Sequence, residues 1–291
     1  MKMKNIINAR NRYKTLYKNY MRVMWNSWKR KNNIKVILQN GNEYYIGYNL
    51  VRVYAGLIAN KNIHIYDLPS DSNDINFTYN DKNIIFEYDT GDIGTVFSRD
   101  EYNFLNVKNE IVVDIGANIG DSAIYFALNN AKKVIALEPY QYSYKKALKN
   151  IKKNNIEDKI TLLNSGYGKD GTIKVDPDFE NNTGSDLKQY NDGVNIKVLS
   201  LKTLLSDYHI DEAVLKMDCE GCEYNLLKEE NDTLKKFKRV QIEYHYGYEK
   251  LKEKLEDAGF TVTYSKPVKS FNKGATEHNM VVGYIYATFK D

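Results

Sequence analysis

Cysteine and histidine are scarce in this sequence. Its 291 residues include two cysteines, Cys219 and Cys222, and four histidines. So few cysteines exclude a network of disulfides, and they leave no second cysteine pair for a structural zinc site. We therefore expect Cys219-x-x-Cys222 to pack without a redox or zinc-binding role, we predict no metal site, and we expect a reducing, cytoplasmic setting.

Acidic side chains are absent from the first 42 residues, which contain eleven lysines and arginines. The rest of the chain has 31 basic and 38 acidic residues, so the net charge of +4 conceals an acidic body. An acidic body argues against a catalytic surface that follows a phosphate backbone. Apolar residues recur at helical spacing over 5–29, which predicts a basic amphipathic helix. We expect its apolar stripe to pack on its own domain or on a second subunit, as in a homo-oligomer. An anionic membrane surface or a nucleic acid is the alternative partner.

Long apolar runs are also absent. None is long enough to span a membrane, and residues 1–31 lack the continuous apolar core of a secretory signal. Apolar residues nevertheless make up 42% of the chain, enough for a substantial core. Asn40-Gly41 predicts a hairpin turn between two short strands. Further strand-like runs are expected at 62–66, 75–79, 84–88 and 93–97.

The pattern changes to alternating strands and helices from residue 110 onward. Strands are predicted at 111–115, 133–138, 160–164, 213–218 and 239–245, and two more at 260–264 and 279–288. Helices are predicted at 120–129, 140–154, 201–208, 221–228 and 248–258. Such alternation implies an α/β fold whose mostly parallel sheet has helices on both faces. We therefore divide the chain into a basic helical arm (1–32), a small β-rich attachment (33–105) and a main domain (106–291).

A glycine turn follows the first strand of the main domain. Gly116 allows a sharp turn and Gly120 allows close packing of the next helix. A dinucleotide would need glycine at position 118, whereas S-adenosylmethionine carries no phosphate and tolerates Asn118. We expect this cofactor to bind here unless the turn is purely structural. The turn residues predicted to contact it are Asp114, Gly116, Ala117, Asn118, Gly120 and Asp121.

Polar residues also follow the second and third strands. Glu138 ends the second strand, where its carboxylate can accept hydrogen bonds from both hydroxyls of a ribose. The third strand ends at Asn164-Ser165-Gly166, where we expect the adenine to lie beside Ser165 and Gly166. Together with the glycine turn, these residues predict a cofactor crevice at one edge of the sheet.

Carboxylates cluster after the fourth strand. Asp218, Glu220 and Glu223 can attract a cationic sulfonium, and one of them can accept a proton. Glu220 and Glu223 can equally complement the start of the next helix. His245 follows the fifth strand and is the predicted general base, because an ordinary imidazole is neutral and basic at cytosolic pH. Asp218 is expected to orient the acceptor or the cofactor, and Asp218 or Glu220 is the alternative base.

These motifs in combination resemble the FkbM family of methyltransferases. The matching segments are Asp114-x-Gly116-Ala117-Asn118-x-Gly120-Asp121, Glu138-Pro139, Lys216-x-Asp218-x-Glu220-Gly221-x-Glu223, Glu243-x-His245 and an upstream Gly91-Asp92…Glu101-Tyr102. The resemblance covers about residues 84–265 and implies a Rossmann-like, class I methyltransferase fold. Known members of that family mostly methylate hydroxyl groups on sugars, polyketides and similar small molecules.

The expected function is therefore O-methylation of a sugar or other small-molecule hydroxyl with S-adenosylmethionine. One alternative is N-methylation of a nucleic acid or protein held by the basic arm. Against it, the fourth strand ends in Asp218-Cys219-Glu220 and lacks the Asn/Asp-Pro-Pro-aromatic motif usual in enzymes that methylate a flipped base. A second alternative is a binding protein that retains the fold without catalysis. The polar segment 176–193 is either a substrate lid or an ordinary surface loop.

Overall fold

The computed structural model describes residues 2–69, 74–87, 93–175, 193–270 and 280–290. The segment Gly91-Asp92 and nearly all of the predicted lid, 176–192, lie outside these residues. The chain divides into two compact units, Met1–Glu101 and Tyr102–Asp291. In the described part of the chain, no helix combines the length and the apolarity needed to cross a bilayer.

The first unit begins with two helices, where the sequence predicted a single helix over 5–29. They are α1 (Lys2–Leu16) and α2 (Tyr20–Trp28). The break occurs because the residues between them bond to strand β1 (Ile34–Ile37). The Lys18 backbone N–H donates to Ile37 O at 2.7 Å, and the Asn19 side chain bonds the backbone of the same strand. Tertiary pairing therefore overrides the helical periodicity at 17–19.

The rest of the first unit is mixed α/β. The predicted hairpin is confirmed, since β1 pairs antiparallel with β2 (Glu43–Ile46). A three-stranded antiparallel sheet follows, made of β3 (Ile63–His64), β4 (Ile75–Tyr79) and β5 (Lys82–Phe86). The sequence did not predict helix α3 (Tyr48–Leu57).

The strand predicted at 93–97 is wrong, because these residues form helix α4 (Ile93–Arg99). Its buried side chains, Ile93, Val96 and Phe97, recur at helical spacing. Phe97 packs edge-on against Phe77, with ring centroids 5.2 Å apart. Burial of one helical face in an aromatic cluster therefore decides the structure of this segment.

The second unit confirms the predicted alternation of strands and helices. Its central sheet is formed by β6 (Ile111–Ile115), β7 (Lys133–Leu137), β8 (Ile160–Leu163), β12 (Ala213–Met217), β13 (Phe237–Tyr244), β14 (Phe260–Tyr264), β15 (Val268–Ser270) and β16 (Met280–Phe289). The α-helices are α5 (Asp121–Leu128), α6 (Gln141–Lys153), α7 (Leu201–Asp207), α8 (Asn231–Leu234) and α9 (Glu249–Asp257). The predicted helix at 221–228 is a 3₁₀ segment, Cys222–Lys228.

The strands of the central sheet are ordered β14-β16-β13-β12-β6-β7-β8, with β15 paired to β16. The pairs from β13 to β8 are parallel, and β16 runs antiparallel to both neighbours. The order reverses at β6, because β7 and β8 lie on one side of it and β12 and β13 on the other. A reversal of this kind opens a crevice at the carboxyl ends of β6 and β12, which is where open α/β sheets bind ligands.

A second small sheet, not predicted from the sequence, lies beside this framework. It has the order β10-β11-β9, formed by β9 (Ser165–Tyr167), β10 (Gly171–Val175) and β11 (Val194–Leu199). The chain therefore forms a new strand directly after β8, where the sequence indicated only that the third strand ends at Asn164-Ser165-Gly166.

Candidate functional site

The turn after β6 is built around Gly116. Its φ of +83° lies in the left-handed region, and an added Cβ would sit 1.9 Å from the backbone carbonyl oxygen of Asp218. The N–H groups of Gly116 and Ala117 both donate to Leu137 O, at 3.0 and 2.9 Å. Only glycine permits so close an approach of two backbones. The turn therefore ties together the carboxyl ends of β6, β7 and β12.

Gly120 and its neighbours form the entry to α5. Gly120 also has a positive φ, +86°, and its Cα approaches α6, where an added Cβ would meet Ala147 Cβ at 3.2 Å. Asn118 adopts a left-handed φ of +48°, which asparagine tolerates well. Asp121 is the first residue of α5 and is buried. An acidic residue at this position complements the positive end of the helix dipole.

Glu138 lies where the sequence predicted it, immediately after β7. Its Oε2 accepts from the Asn118 N–H at 2.8 Å, and its Oε1 accepts from the Tyr140 N–H at 2.9 Å. Only 4% of the residue is exposed. Burial raises the pKa of Glu138 to about 7, despite these hydrogen bonds and the charge of Lys216. The carboxylate therefore lies against the glycine turn with an acceptor lone pair left on each oxygen.

Asp114 is engaged inside the protein. Its carboxylate is fully buried, accepts from the Ser122 hydroxyl at 2.7 Å and lies 3.0 Å from the Lys216 ammonium. Lys216 also donates to Gly116 O at 2.7 Å. Burial opposes the charge of Lys216, yet the carboxylates of Asp114 and Asp218 raise its pKa above the usual value. The ion pair between Asp114 and Lys216 supports the turn at Gly116. A lysine within a buried strand is a signal in the sequence that could have indicated such a paired role for Lys216.

The segment 164–166 contacts the site through the side chain of Asn164. Its side-chain amide donates to Glu138 O at 2.9 Å and to Pro139 O at 3.0 Å, which fixes the end of β8 beside the end of β7. Ser165 and Gly166 are buried in β9. The structure therefore brings this segment next to Glu138, as the sequence suggested.

His245 is buried directly after β13, with a carboxylate on each ring nitrogen. Nδ1 lies 2.9 Å from Glu223 Oε1 and Nε2 lies 3.2 Å from Glu220 Oε2. Glu223 is itself completely buried and also accepts from the N–H groups of His245 and Gly221. Glu223 thus orients the imidazole and does not simply complement the start of a helix.

These carboxylates change the expected chemistry of His245. Burial opposes its charged form, but the hydrogen bond to Glu223 and the charges of Glu223, Glu220 and Asp218 raise the pKa of His245 to about 10. The imidazole therefore carries a proton at neutral pH. The raised pKa favours a protonated imidazole over the ordinary, neutral base that the sequence predicted, and the carboxylate that causes most of the rise is the buried Glu223. The catalytic role of His245 stays a prediction.

Asp218, Glu220 and His245 come together at this edge of the sheet. One potential ligand atom from each lies within 4.8 Å of the others, close enough to surround a cation. Both ring nitrogens of His245 are, however, already paired with carboxylates. In this arrangement His245 is paired with Glu220 and Asp218 lies nearby, so the cluster can hold a polar acceptor and exchange a proton with it.

The cysteine pair is a further correction. Cys219 and Cys222 form a disulfide, whereas the sequence suggested that they only pack. The bond closes a small loop that contains Glu220, whose φ of +56° is in the left-handed region. The loop thus holds Glu220 beside His245 in a backbone conformation that is costly for a residue with a side chain.

Comparison with known proteins places this site in a family. Residues 114–262 match the methyltransferase FkbM domain. "Uncharacterized protein 158B" of Sulfolobus islandicus rod-shaped virus 1 is 30% identical over 144 residues, which span 50% of this chain and 66% of that protein.

Among solved structures, M. jannaschii TYW2 in complex with AdoMet is 17% identical, with a TM-score of 0.41, and the match covers 77% of this chain and 90% of TYW2. Precorrin-6y C5,15-methyltransferase from Geobacter metallireducens GS-15 is 19% identical, with a TM-score of 0.35, over 64% of this chain and 85% of that one. The FkbM match covers just over half of the 291 residues and includes the glycine turn, Glu138, Asp218 and His245. The resemblance seen in the sequence is confirmed, and the chain belongs to the FkbM-domain methyltransferases.

Proposed function

We propose that this protein transfers a methyl group from S-adenosylmethionine to a hydroxyl of a sugar or another small molecule. The observation that carries the proposal is the convergence of four distant segments at one sheet edge. The turn at Gly116 closely approaches the backbone of Asp218. Glu138 accepts a hydrogen bond from Asn118 in the same turn, and Glu220 forms an ion pair with His245. This edge thus has polar acceptors for a nucleoside on one side and a proton-exchanging group on the other.

The residues of the crevice fit the cofactor. Glu138 keeps a free lone pair on each oxygen for the ribose hydroxyls. Asn118 donates to Glu138, and Asn164, which directly precedes Ser165 and Gly166, bonds the backbone of Glu138. Asp218 would supply negative charge for the sulfonium. Asp114 is fully buried beneath the turn with Ser122 and Lys216 as partners, so it would position Gly116 and would not touch the cofactor.

When bound, S-adenosylmethionine would supply a methyl group attached to a positively charged sulfur, and the sulfur would become a neutral thioether when the methyl group is transferred. The protein's task is to hold the acceptor oxygen in line and to take the proton that the hydroxyl loses. His245 is already protonated at neutral pH, so the proton passes to one of the two half-buried carboxylates, Asp218 or Glu220. Before the transfer, His245 would position Glu220 through the ion pair between Nε2 and the Glu220 carboxylate.

A labelled-methyl assay tests this function. The protein, radiolabelled S-adenosylmethionine and fractionated extract from source cells should yield a small, labelled product. A methyl ether keeps its label in mild base, whereas a methyl ester releases it as methanol. Label in nucleic acid or protein would support the N-methyltransferase alternative. Cofactor binding without transfer to any fraction would support a non-catalytic protein.

Single-turnover rates on the identified acceptor then distinguish the two carboxylates. Asp218→Asn and Glu220→Gln are compared, and the variant that removes the base should lose about 10²-fold or more in rate. If neither variant slows transfer, the base lies elsewhere.

The cytoplasmic location and the homo-oligomer also remain predictions. Fractionation of source cells tests the location, and sedimentation of the purified protein tests the oligomeric state.

A further inference from the structure

Helix α2 exposes a row of large apolar side chains. Met21, Trp25 and Trp28 are 66%, 56% and 69% exposed. Their spacing of four and three residues places them on one face of the helix. The two indole rings stack on each other, with centroids 5.3 Å apart. Single exposed apolar side chains are common on protein surfaces, whereas a contiguous group of large ones typically marks an interaction site.

The fold does not need this face. The opposite face of α2 is anchored by Val23 and Ser27, which are almost completely buried, and it packs against α1, α3 and β1. Asn19 secures the start of the helix by hydrogen bonds to Lys35 O and the Ile37 N–H. The exposed row is therefore held rigidly on the surface of its unit without contributing to the core.

Positive charge surrounds the exposed row. Arg22 and Lys29 are exposed next to it, and the Lys29 ammonium lies 4.6 Å from the centre of the Trp25 ring. The first acidic residue of the chain is Glu43, and its carboxylate is paired with Lys35. The face thus combines indole rings with cations, and it belongs to a stretch of 42 residues that contains no acidic side chain.

We infer that the face of α2 formed by Met21, Arg22, Trp25, Trp28 and Lys29 docks on an anionic membrane surface. Indole rings favour the headgroup region of a bilayer, and lysine and arginine bind anionic headgroups beside them. A second copy of the same basic face would repel the first. The Trp25 ring is engaged by Trp28 and Lys29, which leaves less of it for stacking on a nucleic-acid base.

The chain offers a direct probe, because Trp25 and Trp28 are its only tryptophans. The full-length protein is mixed with vesicles of phosphatidylcholine alone or of phosphatidylcholine with phosphatidylserine, which gives the surface a negative charge. We expect binding to the anionic vesicles with a blue shift of tryptophan emission. Brominated lipid should quench the emission, and added salt should weaken binding.

Two variants separate the apolar and the charged parts of the face. Arg22→Glu with Lys29→Glu should weaken vesicle binding by about tenfold or more. Trp25→Ala with Trp28→Ala should weaken binding measured by co-sedimentation, since the probe is then lost. The matched control replaces two exposed lysines of α6, Lys145→Glu with Lys152→Glu, and should retain most of the binding.

Three results would overturn the inference. Vesicles that fail to bind the wild-type protein at low salt exclude a membrane partner. A blue shift that grows with protein concentration in the absence of lipid shows that a second copy covers the face. Tryptophan quenching by a short single-stranded oligonucleotide at concentrations where vesicles have no effect assigns the face to nucleic acid.

Discussion

Glu138 shows how one buried carboxylate can couple cofactor binding to pH. Its two oxygens accept backbone N–H groups of Asn118 and Tyr140, yet burial raises its pKa to about 7. The residue therefore titrates between acid and carboxylate in the neutral pH range. The carboxylate accepts hydrogen bonds from ribose hydroxyls more strongly than the neutral acid does.

Cofactor affinity should accordingly rise with pH. If the carboxylate is the binding form, the Kd for S-adenosylmethionine falls by about tenfold between pH 6 and pH 8. In Glu138→Gln the Kd should be weaker at pH 8 and nearly independent of pH. Calorimetric titrations of both proteins at four pH values measure this. An equal slope in the variant would assign the titration to another group.

His245 should make the free energy of unfolding depend on pH at neutral to alkaline values. Its pKa is about 10 in the folded protein and about 6.5 when unfolded, so the folded state holds the proton more tightly. The resulting stabilisation is fully present below pH 6.5 and is lost as the pH rises through about 10. We expect it to be on the order of 3 kcal/mol.

Urea unfolding of the wild type and of His245→Gln between pH 6.5 and pH 10 measures this effect. The variant should be less stable at pH 6.5, and the difference should shrink towards pH 10. His64→Gln removes an exposed imidazole and is the matched control. A stability difference that does not vary with pH would show that the proton of His245 is not held by Glu223 and Glu220.

At the scale of residues, the sequence identified where the site residues lie more reliably than it identified their protonation and oxidation states. Glu138, Asp218 and His245 were predicted to meet because parallel strands end at one edge of a sheet. The protonation of His245 depends on Glu223, which lies 22 residues away and reaches it only in the folded chain. The disulfide between Cys219 and Cys222 was missed because the expectation of a reducing setting argued against it.

At the scale of elements, the turn between β6 and α5 is the most demanding part of the site. Gly116→Ala would bring a Cβ to 1.9 Å from Asp218 O in a left-handed backbone conformation. We expect a loss of about 3 kcal/mol or more in the free energy of unfolding and no measurable cofactor binding.

The control for this change is Gly56→Ala in α3, where an added Cβ meets no atom within 4 Å. Alanine favours the helix, so this variant should be as stable as the wild type or up to about 1 kcal/mol more stable. Chemical denaturation and calorimetry apply to both. A Gly116→Ala protein that folds and binds cofactor normally would show that the approach of β6 to β12 is not required.

Elements with a strong local pattern were predictable and elements decided by tertiary contacts were not. The strands β6, β7 and β12 are apolar runs with glycine or acidic residues at their ends, and their bounds agree with prediction to within a residue. Helix α4 was mistaken for a strand because three apolar residues in so short a segment are too few to distinguish a helix from a strand by periodicity. Strand β11 pairs antiparallel with β10 and parallel with β9, and no local pattern shows this pairing.

At the scale of the whole molecule, charge separates two roles along the chain. The first 42 residues contain only basic charge, whereas the sheet edge of the second unit carries Glu138, Asp218 and Glu220, with the buried Glu223 behind His245. A basic surface suits an anionic partner, and an acidic crevice suits a sulfonium. The charge distribution was readable from the sequence, while the exposure of Trp25 and Trp28 required the structure.

Calorimetric titration of the purified chain with S-adenosylmethionine tests the central claim most directly. We predict a Kd in the micromolar range, with a weakening of about 1–3 kcal/mol in Glu138→Ala from the loss of its bonds to the ribose. The demethylated product should bind at the same site. Absence of binding at millimolar cofactor, or tight binding of NAD in its place, would contradict the account.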